Sequence, residues 1–453
     1  MTNKTLRLVQ RVAVIVTCVL LSPSFLYSQT VNNETLPPVV KQRLSFDLNK
    51  PKQIKFNPVS KLLAVQREDG SVQIVDLTDG HEQTVLPLAD KALYSMKWTA
   101  DGLRLFVIDT KSAALWDART GTRLSTPIEI RRDKDFSIFG EVTLSPDEKF
   151  LLNVKKDESI KAMILDREKR VAQVWSLESG QLKFQITAKG PYGLVRFSPN
   201  GKQILTTSEK EDPKLWDVET GRLFTTLTPP VRPLFREGSH ADFSPDGRFV
   251  IQSHETGTYI WYSSSGALNT SISSLKNGGD GLFRGFTPDG KMFATLQTTG
   301  GWHSKTSFEF RDCETGEVRS TLRAPKWESW PDQMLWSRDG RTLVVASGND
   351  KYEGRIWDIG TGRFKAVFPM VLKYYRIPMA LDYKDRDDLA IHPSLPIVSA
   401  SNNKFIRLWN ADTGELMQKL DNDGHYGEWS ADGKLFLTFT KDLKSAQVWD
   451  VVL

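Results

Sequence analysis

Short runs of apolar or alternating residues, each closed by turn-forming residues, succeed one another along this chain, and residues 192–221 show the pattern plainly. Leu194–Phe197, Gln203–Thr207 and Lys214–Asp217 are β-rich or alternate apolar with polar positions, while Pro199-Asn200-Gly201 and Asp217–Gly221 punctuate them. Proline presets φ, Asn-Gly tolerates the left-handed backbone conformation, and an Asp side chain can bond the backbone ahead of it. Both punctuation marks therefore predict turns, and the unit reads as a strand meander.

The unit recurs. Its first turn follows an aromatic or aliphatic anchor at Phe56, Trp98, Leu144, Phe197, Phe243, Phe286, Trp336, Ile391 and Trp429. Its second follows Trp-Asp at 116, 216, 357 and 449, or a softened pair at Val75-Asp76, Trp175-Ser176, Trp261-Tyr262, Phe310-Arg311 and Trp409-Asn410. Spacing of roughly 40 to 60 residues is the period of propeller blades rather than of helical solenoids.

Through these positions the chain resembles the WD-repeat (WD40-like) β-propeller family over about residues 41–453. It departs from the family in keeping the opening Gly-His pair only at Gly424-His425. The resemblance implies an all-β, closed β-propeller of four-stranded antiparallel blades, each repeat giving an outer strand and then three inner strands of the next blade. Nine anchors predict nine blades; eight is the alternative, with one degenerate unit reduced to a decorated loop. The last repeat stops at Trp449–Leu453, after a third strand, so its blade needs an outer strand from elsewhere. Residues 42–48 supply a candidate, because Leu44, Phe46 and Leu48 alternate with polar residues as in a half-buried strand. An N-terminal strand completing the last blade would remove the exposed edge.

The first 28 residues differ from the rest. Lys4, Arg7 and Arg11 precede the apolar run Val12–Leu21, and Ser28-Gln29 follows as a cut after a small residue, the layout of a signal peptide. The domains expected are thus residues 1–28 as signal peptide, 29–40 as polar linker and 41–453 as propeller, with a periplasmic or extracellular destination. Loss of the three leader cations lowers the formal net charge from +5 to +2, which gives no reason to expect nucleic acid. Cys18 leaves with the leader and Cys313 remains alone, so no intrachain disulfide is expected.

Length variation points to a site. Turns after the first and third strands stay short, while Lys155–Arg170, Thr298–Thr306, Pro127–Ser137, Pro229–Gly238, Arg323–Asp332 and Val371–Asp388 are long. These belong to the two connections that, in a propeller of this kind, open on one face, and insertions gathered on one face mark the binding side of repeat proteins. Ten of the 13 tryptophans occupy signature positions; Trp302, Trp327 and Trp330 fall in the long loops, with Tyr374, Tyr375, Arg232 and Phe235 in the same set. Trp, Tyr and Arg dominate interface hot spots, although aromatics that merely anchor long loops are the competing explanation.

No His-Glu-x-x-His, paired cysteine ligands, Gly-x-Ser-x-Gly or Walker loop occurs. The reading is an exported, non-catalytic, monomeric scaffold without cofactor or metal. It would bind a protein partner through the elaborated face, with no nucleic-acid partner and no membrane contact beyond an uncleaved signal anchor. A glycan or small-molecule binder, or an enzyme with its site at the central channel, stand as alternatives.

Overall fold

The computed structural model describes residues 39–48, 51–88, 93–109, 111–129, 142–156, 170–187, 192–208, 211–231, 240–254, 256–273, 282–299, 305–323, 331–347, 353–369, 388–401, 405–420, 424–440 and 444–452. They form nine four-stranded antiparallel sheets and no helix. Eight sheets take four consecutive strands, giving blade 1 (residues 53–86), blade 2 (93–129), blade 3 (142–187), blade 4 (192–226), blade 5 (240–273), blade 6 (282–323), blade 7 (331–369) and blade 8 (388–420). Blade 9 is composite: Gly424–Trp429, Leu435–Thr440 and Ser445–Val451 take the N-terminal strand Val40–Asp47 as their outermost member.

All nine anchors end the first strand of a blade, which is innermost in its sheet. The core is divided among nine apolar clusters, each joining two neighbouring blades, and together they run once around the circle. Stability in such an array is a sum of blade terms and nearest-neighbour interfaces. The ninth cluster closes the ring: Leu48, Ile54, Leu63, Val65 and Val75 pack with Leu435, Leu437, Phe439 and Val448, and Leu44 and Phe46 lie against them.

Val40 pairs opposite Val451 and Asp47 opposite Ser445, with a bulge between Gln42 and Leu44. The strand is fastened from blade 8 as well. Gln418 Oε1 accepts from the Val39 and Val40 amides at 2.7 and 2.8 Å, and Gln418 Nε2 donates to the Val40 carbonyl at 3.0 Å. Arg43 pairs with Asp450 on the exposed side.

One register differs from the sequence reading. In blade 6 the Trp-Asp position is Arg311-Asp312, not Phe310-Arg311: Gly316 N donates to Asp312 O at 2.8 Å, as Gly221 N does to Asp217 O at 2.9 Å. Phe310 is fully buried, edge-on to Trp336 of blade 7 with ring centroids 5.5 Å apart. The strand Lys305–Asp312 keeps two buried aromatics, Phe308 and Phe310, on the face opposite Arg311, so aromaticity alone mis-set the register by one residue.

Candidate functional site

The turns after first strands are locally self-sufficient. At Ser198-Pro199-Asn200-Gly201 the serine hydroxyl donates to Asn200 Oδ1 at 2.8 Å, accepts from Gln203 N at 2.9 Å, and Gly201 takes φ of 71°. Ser244, Thr287, Ser337 and Ser430 repeat this with Asp246, Asp289, Asp339 and Asp432. Turns after third strands in blades 1, 2, 4, 6 and 7 are closed by aspartates; Asp217 accepts from the Thr220 amide and hydroxyl, both at 2.8 Å, and these bonds hold its carboxyl below the usual range. These recurring carboxylates are structural, and this face of the ring is plain.

Three first-strand turns depart from the pattern. Asn57 Oδ1 accepts from the Val59 and Ser60 amides, and its Nδ2 donates 2.7 Å to Gly102 O of blade 2. His392 does the same in blade 8: Nδ1 accepts from the Ser394 and Leu395 amides, and Nε2 donates 2.8 Å to Gly433 O of blade 9. Burial pushes the His392 pKa down, in keeping with a neutral ring whose Nδ1 must accept. In blade 3, Glu148 stands where six of the other first-strand turns have glycine. It has φ of 62°, accepts from Ala100 N at 3.0 Å and pairs with Arg104 of blade 2 at 2.5 Å.

The channel wall comes from the residue before each anchor: Lys55, Lys97, Thr143, Arg196, Asp242, Gly285, Leu335, Ala390 and Glu428 in chain order. The anchors and the residues two before them pack on the preceding blade, as Val195 and Phe197 do against Phe150 and Leu152. The intervening residues are left on the other side of the innermost strand, where Lys55, Lys97 and Arg196 are exposed. On successive blades, Arg196 bonds Asp242 at 2.6 Å; burial pushes the Glu428 carboxyl up, and the charge of Lys55 draws it down more weakly. Exposed side chains on innermost strands that reach the same position of the next blade form a collar at the channel mouth on the plain face. Chain separation hid this collar from sequence reasoning, although reading off the residue before each anchor in ring order recovers it.

Trp302, Trp327, Trp330, Tyr374, Tyr375, Arg232 and Phe235 lie outside the described residues, so the structure neither gathers nor separates them. Among the described residues no group of three or more His, Cys, Asp or Glu could hold a metal ion. An open cleft of about 630 Å³ lies where the closing strand meets blade 1, lined by Asp47, Leu48, Arg67, Glu68, Asp69 and Gln73. Its one cation is committed, because Arg67 bonds Gln73 and Glu82.

No family model matches the chain. Among curated proteins it is 22% identical over 405 residues to apoptotic protease-activating factor 1 of Danio rerio, covering 84% of this chain and 28% of the relative. It is 28% identical over 301 residues to protein tipD of Dictyostelium discoideum, covering 64% of this chain and 42% of the relative. The chain thus spans less than half the length of either relative. A crystal structure of the eukaryotic initiation factor superposes with a TM-score of 0.60 at 14% identity, covering 86% of this chain and 94% of that one, and this likeness concerns the fold alone. Two of the Trp-Asp tryptophans also make a half-buried bond within their blade, Trp216 Nε1 to Thr206 and Trp449 Nε1 to Thr438, each at 2.9 Å. Nine such blades, each ending its first strand on an anchor and its third at a Trp-Asp position or a variant of it, make the chain a nine-bladed β-propeller similar to the WD-repeat propellers.

Proposed function

We propose that this protein is a non-catalytic scaffold that binds a protein partner through the face carrying its long connections. The observation that carries this reading is the confinement of chain length. Residues 130–141, 157–169, 232–239, 274–281, 324–330 and 370–387 all fall between outer and first strands or between second and third strands. The turns on the plain face are tied down by the hydrogen bonds described above. A rigid ring that presents many loops lowers the ordering cost of association, and Trp302, Trp327, Trp330, Tyr374, Tyr375, Arg232 and Phe235 are the proposed anchors. The cationic and apolar leader in residues 1–28 supports placing the ring in the periplasm or outside the cell.

Affinity capture from an envelope extract tests the reading, with wild type beside a variant carrying Trp302→Ala, Trp327→Ala and Trp330→Ala that melts at the same temperature. A protein retained by wild type and lost by the variant is the expected result. Identical retention by both baits would assign the tryptophans to loop anchoring and defeat the proposal.

A further inference from the structure

Two first-strand turns on the plain face break the polar pattern of the others, and they do so side by side. The third residue after the anchor is Asp, Asn or Ser in eight blades and Val59 in blade 1; the fifth is Lys or Arg in seven blades and Leu103 in blade 2. Val59 and Leu103 are 67% and 66% exposed, the highest values for large apolar side chains among the described residues. They adjoin, because a Cβ built on Gly102 would lie 2.5 Å from Val59 Cγ2, and Leu103 follows that glycine. Pro58 and Ala100 beside them are exposed as well. Bonds across the blade boundaries hold this corner rigid: Asn57 to Gly102 O, the Trp98 indole to Lys55 O at 2.8 Å, and Glu148 to Ala100 N. Its acids are engaged by their own surroundings, Asp101 by Thr99, the Leu103 amide and Arg104, Glu148 by Arg104, and Asp117 by Thr120. Lys61 and Arg119 stand at its border, both exposed; Lys61 lies two residues beyond Val59, and Arg119 follows Ala118, whose amide bonds the Leu103 carbonyl. An exposed apolar centre is thus bordered by cations.

We propose that Val59 and Leu103 form an apolar docking patch across blades 1 and 2 that takes a short acidic segment of a protein partner, an apolar side chain of the segment seated on the pair and its carboxylates beside Lys61 and Arg119. Aliphatics on a surface already fixed by interblade bonds lose little freedom when covered. The bordering cations select against a second copy of this chain, since two such patches brought face to face would oppose like charges. A flat anionic membrane fits poorly too: the same turns in blades 5, 6, 7 and 9 present Asp246, Asp289, Asp339 and Asp432 to solvent, where they would face its headgroups. The patch lies on the face opposite the long connections and does not depend on what that face binds.

Selection of a phage-displayed random peptide library on the purified full chain, followed by anisotropy titration of the labelled consensus peptide, tests this. The expected consensus is an aliphatic or aromatic residue flanked by Asp or Glu. Leu103→Ser weakens its binding about tenfold, and so does Val59→Asp, which installs the residue that six other blades have there and so guards the fold. Lys61→Gln and Arg119→Gln each weaken it about threefold and flatten its salt dependence. Val318→Ser, at an exposed apolar position of blade 6, and the combined Trp302→Ala, Trp327→Ala and Trp330→Ala variant leave it unchanged. Full affinity in Leu103→Ser and Val59→Asp variants that melt with wild type, a basic consensus, or no peptide whose binding needs the patch overturns the proposal. So does self-association, or uptake on phosphatidylglycerol vesicles, that Leu103→Ser abolishes, which would name a second copy or a bilayer as the occupant.

Discussion

Gln418 holds the point at which the ring is closed by non-contiguous chain, and replacing it by leucine has a calculable consequence. The substitution keeps the side chain's bulk but strands the Val39 and Val40 amides and the Val40 carbonyl, all in residues about 1% exposed. Each buried group left unpaired costs about 1–3 kcal/mol, so the closing strand loses about 3 kcal/mol of local stability once part of the loss is recovered by relaxation. Each 1.4 kcal/mol is a tenfold change in the opening equilibrium, giving about a hundredfold faster amide exchange across Val40–Asp47. Gln418→Glu keeps the acceptor for both amides and loses only the donor to Val40 O, so its exchange should fall between those of wild type and Gln418→Leu. Peptide-resolved hydrogen exchange reads this directly, with Gln203–Ser208 of blade 4 as a distant internal control. Unchanged exchange of the closing strand in Gln418→Leu, or equal acceleration in both segments, would refute the view that the amide clamps the seam.

Two other turn residues give sharper tests of stability. Glu148→Ala keeps the strained φ while losing both contacts to blade 2, whereas Glu148→Gly loses the contacts and relieves the strain, so the alanine variant should be less stable by about 1 kcal/mol in urea unfolding. Equal stability of the two would mean that the left-handed turn is not strained. His392 has a folded-state pKa below its ordinary 6.5. Between those values the unfolded chain binds more protons than the folded one, so the imidazole's contribution is full above pH 6.5 and is lost as pH falls through that window. His392→Asn keeps the bonding pattern that Asn57 shows in blade 1 and removes the titration. The stability difference between wild type and this variant should therefore shift by the His392 contribution between pH 7 and 5, and a pH-independent difference would contradict the neutral-ring assignment.

The blades were legible in the sequence because their punctuation is local: the turn after an anchor completes its hydrogen bonds within six adjacent residues, as Ser198–Gln203 does. The closing strand was legible for a related reason, since Leu44, Phe46 and Leu48 carry a period-two signal of their own. What was missed depends on closure. Lys55 and Glu428 are neighbours only once the ring is joined, and Gln418 reaches Val40 across 378 positions of sequence. The slip at Phe310 shows the limit of pattern reading inside a blade. A strand with buried aromatics offers several credible Trp-Asp registers, and the Asp312–Gly316 turn bond decides among them.

Departures from the repeat then acquire a meaning that the repeat itself lacks. Where Ser198 or Ser244 bonds within its own turn, Asn57 and His392 satisfy their turns and also reach the next blade, at Gly102 and Gly433. These two exceptions bracket the composite blade: His392 ties blade 8 to blade 9, and Asn57 ties blade 1 to blade 2. Gln418 adds three bonds more on the blade 8 side. In a nearest-neighbour array the weakest interface sets where the ring opens, and a blade whose outer strand comes from the far end of the chain bears the largest loop-closure cost. His392 and Gln418 place their interblade bonds at the blade 8–blade 9 interface, where they offset this cost, while Asn57 and Glu148 tie blades 1 and 3 to blade 2, so the irregular turns act as ties between blades rather than as decay of the repeat.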